Sequence, residues 1–255
     1  YYEETQNRDP RLGQTIRIPG YKRIGSNEVS VPDFSTSVTG YQFVKYILAP
    51  SYDAGQSTND MPIFRFAEVL LNFAEAKAEL GTITQADINN SIKKLRDRVD
   101  MPNLDLASAN SNPDPYLLNE YPNVSRGANL GVLLEIRRER RVEMVKEGLR
   151  YRDLLRWKEG ARLSKPFYGM YFTGAGEYDV DKNGTIDLVI YEGNSPTRKP
   201  GVQYQKLGEM VLENGNIGGR ILNLPDIIKV WREDKDCLYA IPTRELQLNP
   251  NLTQN

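Results

Sequence analysis

The chain has 255 residues, with 33 basic and 34 acidic side chains, no histidine and a single cysteine, Cys237. Without histidine it has no Ser-His-Asp or Cys-His catalytic site, no histidine metal ligand and no histidine pH switch. One thiol forms neither an internal disulfide nor a CxxC redox pair, so cysteine usage leaves the cellular compartment open. The length allows one large domain or two small ones, with enough chain for a sizeable core.

The composition, with 39% hydrophobic and 26% charged residues, predicts a soluble globular protein. No apolar run approaches the length of roughly 18 residues that a membrane-spanning helix needs. The first residues have neither a basic start nor an apolar signal core, which fits a mature, cytosolic or trimmed chain. A net charge of −1 gives no reason to expect nucleic acid or an anionic membrane as partner. The fifteen tyrosines suit sugar or peptide surfaces, and equally well loop-rich packing.

Residues 1–61 lack helical periodicity and predict irregular structure with short extended pieces such as 41–48. A strong helix is predicted over 63–80, after Pro62 and before Gly81. It carries two apolar stripes with a polar stripe between them, so we expect it to be covered on most of its circumference. The first apolar stripe is Ile63, Ala67, Leu70, Ala74 and Ala78, and the second is Phe66, Val69, Phe73, Ala76 and Leu80. The polar stripe is Arg65, Glu68, Asn72, Glu75 and Glu79.

Thr84 is a predicted N-cap, with Asp87 three residues later, for a second helix that ends near Met101. Together the two helices predict a tetratricopeptide-like hairpin, although no clean 34-residue repeat is present. The remaining chain is predicted as a loop over 102–129, helices over 130–147 and 149–161, and then loops, turns and short strands. Two Asn-Gly turns are predicted in this last part, at 183–184 and 214–215.

The third predicted helix carries Arg137, Arg138, Glu139, Arg140 and Arg141 in succession, so some guanidinium groups must face the core. Natural partners are the carboxylates of the first helix, Glu68, Glu75 and Glu79. This pattern favours a structural ion-pair network over catalysis. A glycosidase needs two carboxylates in one cleft, whereas these acids are interleaved with arginines that keep them ionised.

Four groups of motifs, in order along the chain, resemble the SusD/RagB-like family of outer-membrane nutrient-binding lipoproteins of Bacteroidetes. They are DPRL at 9–12; PIFRFAEVLLNFAEA at 62–76; ERRVE at 139–143 with EGLRYRDLLRW at 147–157; and IP at 241–242 with EL at 245–246 and NPNL at 249–252. The resemblance covers the whole chain, and it is specific because the four groups occur together.

The resemblance implies a non-catalytic, lipid-anchored surface protein that captures a glycan, or in some members a peptide, and covers a SusC-like TonB-dependent transporter. Family members are usually much longer, so residues 1–255 are expected to be the C-terminal part of one domain, with the lipoprotein signal and its lipidated cysteine upstream. Cys237 is too far along the chain to be that anchor. Arg65 and Glu68 are expected to pair with Glu139 and Arg140 between helices, with the Trp157 ring in a core or interface.

Family ligands are bound by loop aromatics that vary with the ligand, so their positions do not transfer by motif. Part of the surface comes from the stretch before the first strong helix, which here offers Tyr52 and five candidate rings: Tyr21, Phe34, Tyr41, Phe43 and Tyr46. Tyr21 and Tyr41 come first because each follows a glycine, where a ring could be exposed. The alternative is that these rings pack on the scaffold. For a sugar, rings would stack on C–H faces while planar polar groups meet the hydroxyls.

Residues 179–187 match the opening of an EF-hand calcium loop, with oxygens at Asp179, Asp181, Asn183 and Asp187 and glycine at position six. Position twelve is Ile190 where a bidentate glutamate is required, although Glu192 is near. The alternative is a β-hairpin around the Asn-Gly turn. Calcium is therefore a possible ligand, and no other cofactor is expected.

These observations predict a mainly α-helical fold with tetratricopeptide-like hairpins, a loop-rich cap and a few short β-strands. Within one SusD/RagB-like domain, residues 1–61 are the loop-rich ligand side, 62–161 the helical core and 162–255 the cap. The leading hypothesis is a glycan- or peptide-binding lipoprotein of the outer-membrane surface. A helical adaptor for a protein partner comes second, and an enzyme acting on the same glycans third.

Overall fold

The structure is a computed structural model that describes residues 1–254, and it divides into two compact units. The strand unit contains Tyr1–Phe64 and Pro166–Ile227, and the helical unit contains Arg65–Lys165 and the chain from Ile228 onward. The single domain expected from sequence, with segments divided at 61/62 and 161/162, stays a prediction. The segment after Ile228 groups with the helices rather than with the strands.

The mainly helical class with a few short strands is confirmed. The helical unit contains eight helices in its described part: α3 (Phe66–Glu79), α4 (Gln85–Asn90), α5 (Ile92–Asp97), α6 (Leu106–Ser111), α7 (Pro115–Glu120), α8 (Leu130–Glu143), α9 (Arg150–Arg156) and α10 (Thr243–Leu248). None of the described helices has the length and apolar character needed to cross a membrane.

The predicted hairpin of α3 with α4 and α5 is present, and its signals are local. The N–H groups of Gly81 and Thr82 donate to the carbonyls of Ala78 and Lys77 at 3.1 and 3.0 Å, with Gly81 at φ 72°, which ends α3 in a Schellman motif. Thr84 and Asp87 form the expected capping box. The second helix is not continuous, however, because the chain leaves helical geometry at Ser91, so α4 and α5 are separate.

Helix α3 begins at Phe66 and not at Ile63, because Arg65 is extended and forms the N-cap. One apolar stripe is buried as predicted from Ala67 to Ala78 and packs in the core with α5 and α8. The second stripe is exposed at Phe66, Val69 and Leu80. The expectation that α3 is covered on most of its circumference is therefore wrong for the described part of the chain.

The loop that the sequence predicts over 102–129 is wrong, because these residues contain α6 and α7. Asp105 and Asp114 cap these helices by accepting backbone hydrogen bonds, and Pro115 occupies the first turn of α7. Six residues are too few to show a helical period in the sequence. Leu117 and Tyr121 nonetheless bury their side chains in the helical core.

Helix α9 also ends early, at Arg156 instead of residue 161. The N–H groups of Lys158 and Glu159 donate to the carbonyls of Leu155 and Leu154 at 3.0 and 2.8 Å, a Schellman pattern with Lys158 at φ 55°. A short 3-10 turn follows over Gly160–Ser164. Lysine rarely occupies this left-handed position, so the sequence does not indicate the stop.

The strand unit contains two small sheets around its own core. Its elements are α1 (Tyr2–Thr5), α2 (Arg11–Thr15), β1 (Phe167–Phe172), β2 (Gly176–Tyr178), β3 (Leu188–Tyr191), β4 (Gln203–Lys206) and β5 (Gly219–Asn223). Strands β1 and β5 form an antiparallel ribbon; β3 pairs antiparallel with β2 and parallel with β4. The core includes Phe34, Met170, Phe172, Leu188, Ile190 and Ile221.

Gln203 joins distant parts of this unit. Its side-chain oxygen accepts a hydrogen bond from the backbone N–H of Phe34 at 2.8 Å, and its side-chain nitrogen donates to the carbonyl of Pro32 at 2.8 Å. One amide thus satisfies two backbone groups of a loop that lies 169 residues away in sequence.

Two local predictions differ from the structure. Residues 41–48 form no strand and contribute only an isolated bridge from Phe43 to Ile16. The Asn-Gly pair at 183–184 is not a two-residue hairpin turn, because β2 and β3 are joined by the nine residues 179–187. At 214–215 the chain enters a 3-10 turn, Gly215–Ile217, between the bridged residues Leu212 and Ile221.

Candidate functional site

The arginines of α8 form the expected ion-pair network, with some different partners. Arg140 pairs with Asp153 at 2.7 Å and with Glu68 at 3.7 Å, joining α8 to α9 and α3. Glu139 pairs with Arg96 at 2.8 Å, whereas Arg65 binds Glu143 and Glu147. These contacts tie the helices of this unit to one another.

Glu75 lies at the centre of this network. It accepts two hydrogen bonds from the Arg156 guanidinium and one from the indole N–H of Trp157, at 2.5 Å. Burial acts to raise the pKa of Glu75, but the hydrogen bonds from Arg156 and Trp157 outweigh it and hold the pKa below its ordinary value. An ionised, fully paired carboxylate of this kind stabilises the fold and is poorly suited to donate a proton.

Glu159 differs from Glu75, because burial raises the pKa of Glu159. Its carboxylate lies 3.6 Å from Arg137 and accepts the backbone N–H of Asn123 at 2.9 Å. Arg137 in turn lies over the Trp157 ring at 4.7 Å. Glu159 thus serves the packing of the helical unit.

A cavity of about 940 Å³ lies in the helical unit between α9 and the segment after Ile228. Trp231 anchors that segment, since its ring packs so closely on Gly160 that a Cβ there would lie 2.1 Å from it. The lining is mixed in charge, with one exposed ring: Arg152, Leu155, Arg156, Lys158, Glu233, Asp234, Cys237 and Tyr239.

The structure separates the five candidate rings of the loop region. Phe34 is only 7% exposed and packs edge-to-face on Phe172 at 5.8 Å, so the packing alternative holds for this ring. Tyr21 lies under the Arg17 guanidinium and Tyr46 under the Lys45 ammonium, at 5.7 and 5.5 Å. These three rings therefore have protein neighbours on at least one side.

The other two rings differ in their surroundings. Tyr41 is half-buried against the core of the strand unit, and its hydroxyl donates to the Glu4 carboxylate at 2.6 Å. Phe43 is exposed beside its bridge to Ile16. Phe43 is therefore the most exposed of the five candidate rings.

The acidic loop brings three of the four candidate metal ligands together. Oxygens of Asp179, Asp181 and Asp187 lie within 4.8 Å of one another, and Asp181 and Asp187 are only 6% and 8% exposed. Burial, followed by the charges of the neighbouring aspartates, raises the pKa of Asp187. The side-chain oxygen of Asn183 instead accepts the backbone N–H of Thr185 at 2.8 Å.

No lysine or arginine in residues 1–254 forms an ion pair with these three aspartates, and the adjacent Lys182 binds Glu3. The loop is also the connection of a β-hairpin, so the two interpretations of the sequence are compatible. Ile190, at position twelve of the loop, is buried in β3 and supplies no ligand. The chemistry of the donor set, three carboxylates close together, fits a hard cation such as Ca²⁺.

The exposed aromatic residues of β1 were not singled out from the sequence. Tyr168 and Tyr171 are 39% and 58% exposed, and the Arg220 guanidinium lies 3.8 Å from the centre of the Tyr168 ring. Their common placement depends on the register between β1 and β5, which are about fifty residues apart. The local signal was limited to two tyrosines near a glycine.

Comparison with solved structures identifies proteins of similar fold. A SusD-like carbohydrate binding protein from Bacteroides fragilis NCTC 9343 has a TM-score of 0.53 and 24% identity; the alignment covers 97% of this chain and 42% of that one. A second SusD-like protein from the same strain has a TM-score of 0.56 and 20% identity, over 98% of this chain and 39% of that one. These likenesses confirm the expected fold.

Sequence comparison gives the same family. SusD-like protein P38 of Formosa agariphila is 30% identical over 130 residues, which are 51% of this chain and 22% of that protein. The chain therefore spans less than half the length of each of these relatives. The sequence profile of the SusD family matches residues 1–255, and the chain belongs to this family.

Proposed function

We propose that the chain is the glycan-binding part of a non-catalytic nutrient-binding lipoprotein of the outer-membrane surface. The observation that carries the proposal is the match of the SusD family over residues 1–255. A similar fold in a carbohydrate binding protein from Bacteroides fragilis supports a saccharide as the ligand class. The recognisable helix acids contribute to ion pairs, which supports binding without bond cleavage.

The proposal is tested by isothermal titration of the chain with hexasaccharides of glucose, xylose, mannose and galacturonic acid, and with a mixed oligopeptide pool. We expect saturable binding of at least one saccharide without release of reducing ends. Absence of binding to every saccharide would refute the glycan ligand, and binding to the peptides alone would make the ligand a peptide. Release of reducing sugar would indicate an enzyme.

Delivery of the ligand to a SusC-like TonB-dependent transporter is the second part of the proposal. Its test uses the full-length protein in its own bacterium, affinity-tagged and purified from outer membranes in mild detergent. We expect a TonB-dependent transporter to co-purify in comparable amount. Recovery of the tagged protein in the cytosol, or without a transporter, would contradict both the location and the partner.

A helical adaptor that binds a protein partner is the second candidate. It is favoured by the exposed stripe of α3, where Phe66, Val69 and Leu80 present apolar surface. If this stripe is an adaptor surface, Phe66→Ser abolishes partner capture while saccharide binding is unchanged. Under the leading proposal, the same variant leaves transporter co-purification intact.

We also propose that the acidic loop binds Ca²⁺ through Asp179, Asp181 and Asp187. Three carboxylates packed without a cationic side chain repel one another, and a divalent cation would remove this repulsion. We expect millimolar Ca²⁺ to raise the melting temperature above that in EDTA. The shift should vanish in Asp181→Asn and persist in Asp226→Asn, an exposed aspartate of the same unit. An unchanged melting temperature would refute the site.

A further inference from the structure

A β-bulge places two tyrosines of β1 on the same face of the β1–β5 ribbon. Tyr168 is paired with Leu222 and Tyr171 with Arg220, so three steps along β1 match two steps along β5. In a regular strand, residues three apart lie on opposite faces. The extra residue of a bulge shifts this alternation by one position, so that residues three apart lie on the same face. The outer face therefore presents Tyr168, Tyr171 and Arg220, while Met170 and Phe172 point into the core.

The bulge is fixed by the loop that contains Tyr41. The N–H of Met170 donates to the carbonyl of Thr39 at 2.9 Å, and a Cβ at Gly169 would lie 2.4 Å from that carbonyl oxygen. Only glycine allows this approach. Gly40, at φ 79°, then turns the chain against Met170, so Tyr41 follows directly from the anchored residues.

Arg220 is held in place on the outer face although it is exposed. Its guanidinium stacks on Tyr168, and it donates two hydrogen bonds to Glu213, at 2.9 and 2.8 Å. The hydrogen bonds from Arg220 lower the pKa of Glu213 to about 2, so this carboxylate stays ionised at neutral pH. A side chain already fixed by its neighbours loses less conformational entropy when it binds a ligand.

The remaining ring, Tyr171, lies directly opposite Arg220 and is the most exposed tyrosine of the ribbon. Among the described residues it has no ring contact or hydrogen-bonding partner. The face thus combines a free aromatic ring with a planar donor group and a carboxylate acceptor. Because Glu213 offsets the charge of Arg220, the face has no excess of positive charge that would favour a phosphate backbone.

We propose that the outer face of the β1–β5 ribbon is a saccharide-binding platform. The ring of Tyr171 stacks on the C–H face of one sugar, while Arg220 donates to its hydroxyls and Glu213 accepts from them. Tyr41, on the anchored loop, borders the platform. The inference rests on the proposed glycan-binding function, and it assigns that function to the strand unit.

The test is titration of the chain with the saccharide that binds it best among the hexasaccharides named above. We expect Tyr171→Ala to weaken binding about tenfold, a loss of about 1.4 kcal/mol, and Tyr171→Phe to retain it because the ring remains. Arg220→Gln should weaken binding as well. The matched control is Tyr239→Ala, which removes an exposed tyrosine beside the cavity of the helical unit and should change nothing.

Saturation-transfer NMR gives a second readout. With the tyrosine ring protons irradiated, the C–H protons of the bound sugar should receive saturation in the wild type, and should receive less of it in Tyr171→Ala at a saccharide concentration that restores occupancy. Unchanged melting temperatures would show that the variants are folded.

The outcomes separate the two proposals. If the wild type binds no saccharide, the proposed function fails, and the platform fails with it. If the wild type binds but Tyr171→Ala and Arg220→Gln bind equally well, only the platform is overturned. A loss confined to Tyr239→Ala would move the site to the helical unit and would also overturn it.

Discussion

Replacement of Glu75 by leucine tests whether the buried network stabilises the helical unit. Leucine removes every acceptor and leaves the buried indole N–H of Trp157 without a partner, which costs about 1–3 kcal/mol. Arg156 is 43% exposed at its side chain and turns to water, so its share is about 1 kcal/mol or less. We therefore expect Glu75→Leu to lower the free energy of unfolding by about 1–4 kcal/mol.

Urea unfolding followed by tryptophan fluorescence measures this change. Both tryptophans, Trp157 and Trp231, belong to the helical unit, so the signal reports on that unit. Glu79→Leu is the matched control, because Glu79 lies on the same stripe but is half-exposed and 4.0 Å from its nearest cation, Arg137. It should cost less than about 0.5 kcal/mol.

A double-mutant cycle isolates the hydrogen bond to the indole. Trp157→Phe removes the donor, so Glu75→Leu in that background should cost only about 1 kcal/mol, the part due to Arg156. The reasoning would be refuted if Glu75→Leu cost no more than Glu79→Leu, or if its cost were the same with and without the indole.

The pH dependence of the same variant follows from the lowered pKa of Glu75. A depressed carboxylate pKa adds stability at pH values above its ordinary 4.5, and this stability is lost as the pH falls through the folded-state value. The difference in the free energy of unfolding between the wild type and Glu75→Leu should be largest at pH 7 and should decrease below about pH 4.5. A difference that stays constant to pH 3 would contradict the assignment.

Three further substitutions test other parts of the structure. Gly131→Ala places a Cβ 1.8 Å from the carbonyl oxygen of Ala109, so α6 and α8 must separate. We expect urea unfolding to show a free energy of unfolding lower by about 1–3 kcal/mol. An unchanged free energy of unfolding would refute the close packing. Without calcium at pH 7, Asp187→Asn should raise the melting temperature, because the raised pKa of Asp187 means that its ionised form is unfavourable in the folded protein. This gain in melting temperature should shrink as the pH falls. A lower melting temperature at pH 7 would contradict the reasoning. Phe66→Ser should change the unfolding free energy by less than about 0.5 kcal/mol and reduce binding of a hydrophobic dye; a larger loss would mean that the ring is packed.

Features set by a few neighbouring residues were predictable. Gly81 ends α3 and Thr84 begins α4 because a glycine in the left-handed conformation and a capping threonine act within one helical turn. The end of α9 was not predictable, since it depends on Lys158 in a conformation that lysine rarely adopts. The arginines of α8 required buried carboxylate partners, but which carboxylate meets each arginine depends on how the helices pack.

The candidate binding residues were harder to predict for a related reason. Phe34 is in a loop, yet tertiary packing places it under Phe172. Tyr168 and Tyr171 are in a strand, where alternation alone would separate them on two faces. Their shared face results from a bulge that Thr39 holds in place through a hydrogen bond from Met170, a contact between residues 131 positions apart in sequence. By contrast, the acidic loop was recognised because its ligands are close in sequence as well as in space.

The amide of Gln203 has a consequence for the order of events during translation. Pro32 and Phe34 leave the ribosome long before Gln203, so the backbone groups of their loop lack this protein partner until the chain has grown by about 170 residues. The helices of residues 66–156 emerge in that interval, and the residues of their shared core all lie between Ala67 and Trp157, which favours their early formation. The strand unit must therefore be completed late, from two pieces of chain that the helical residues separate in sequence.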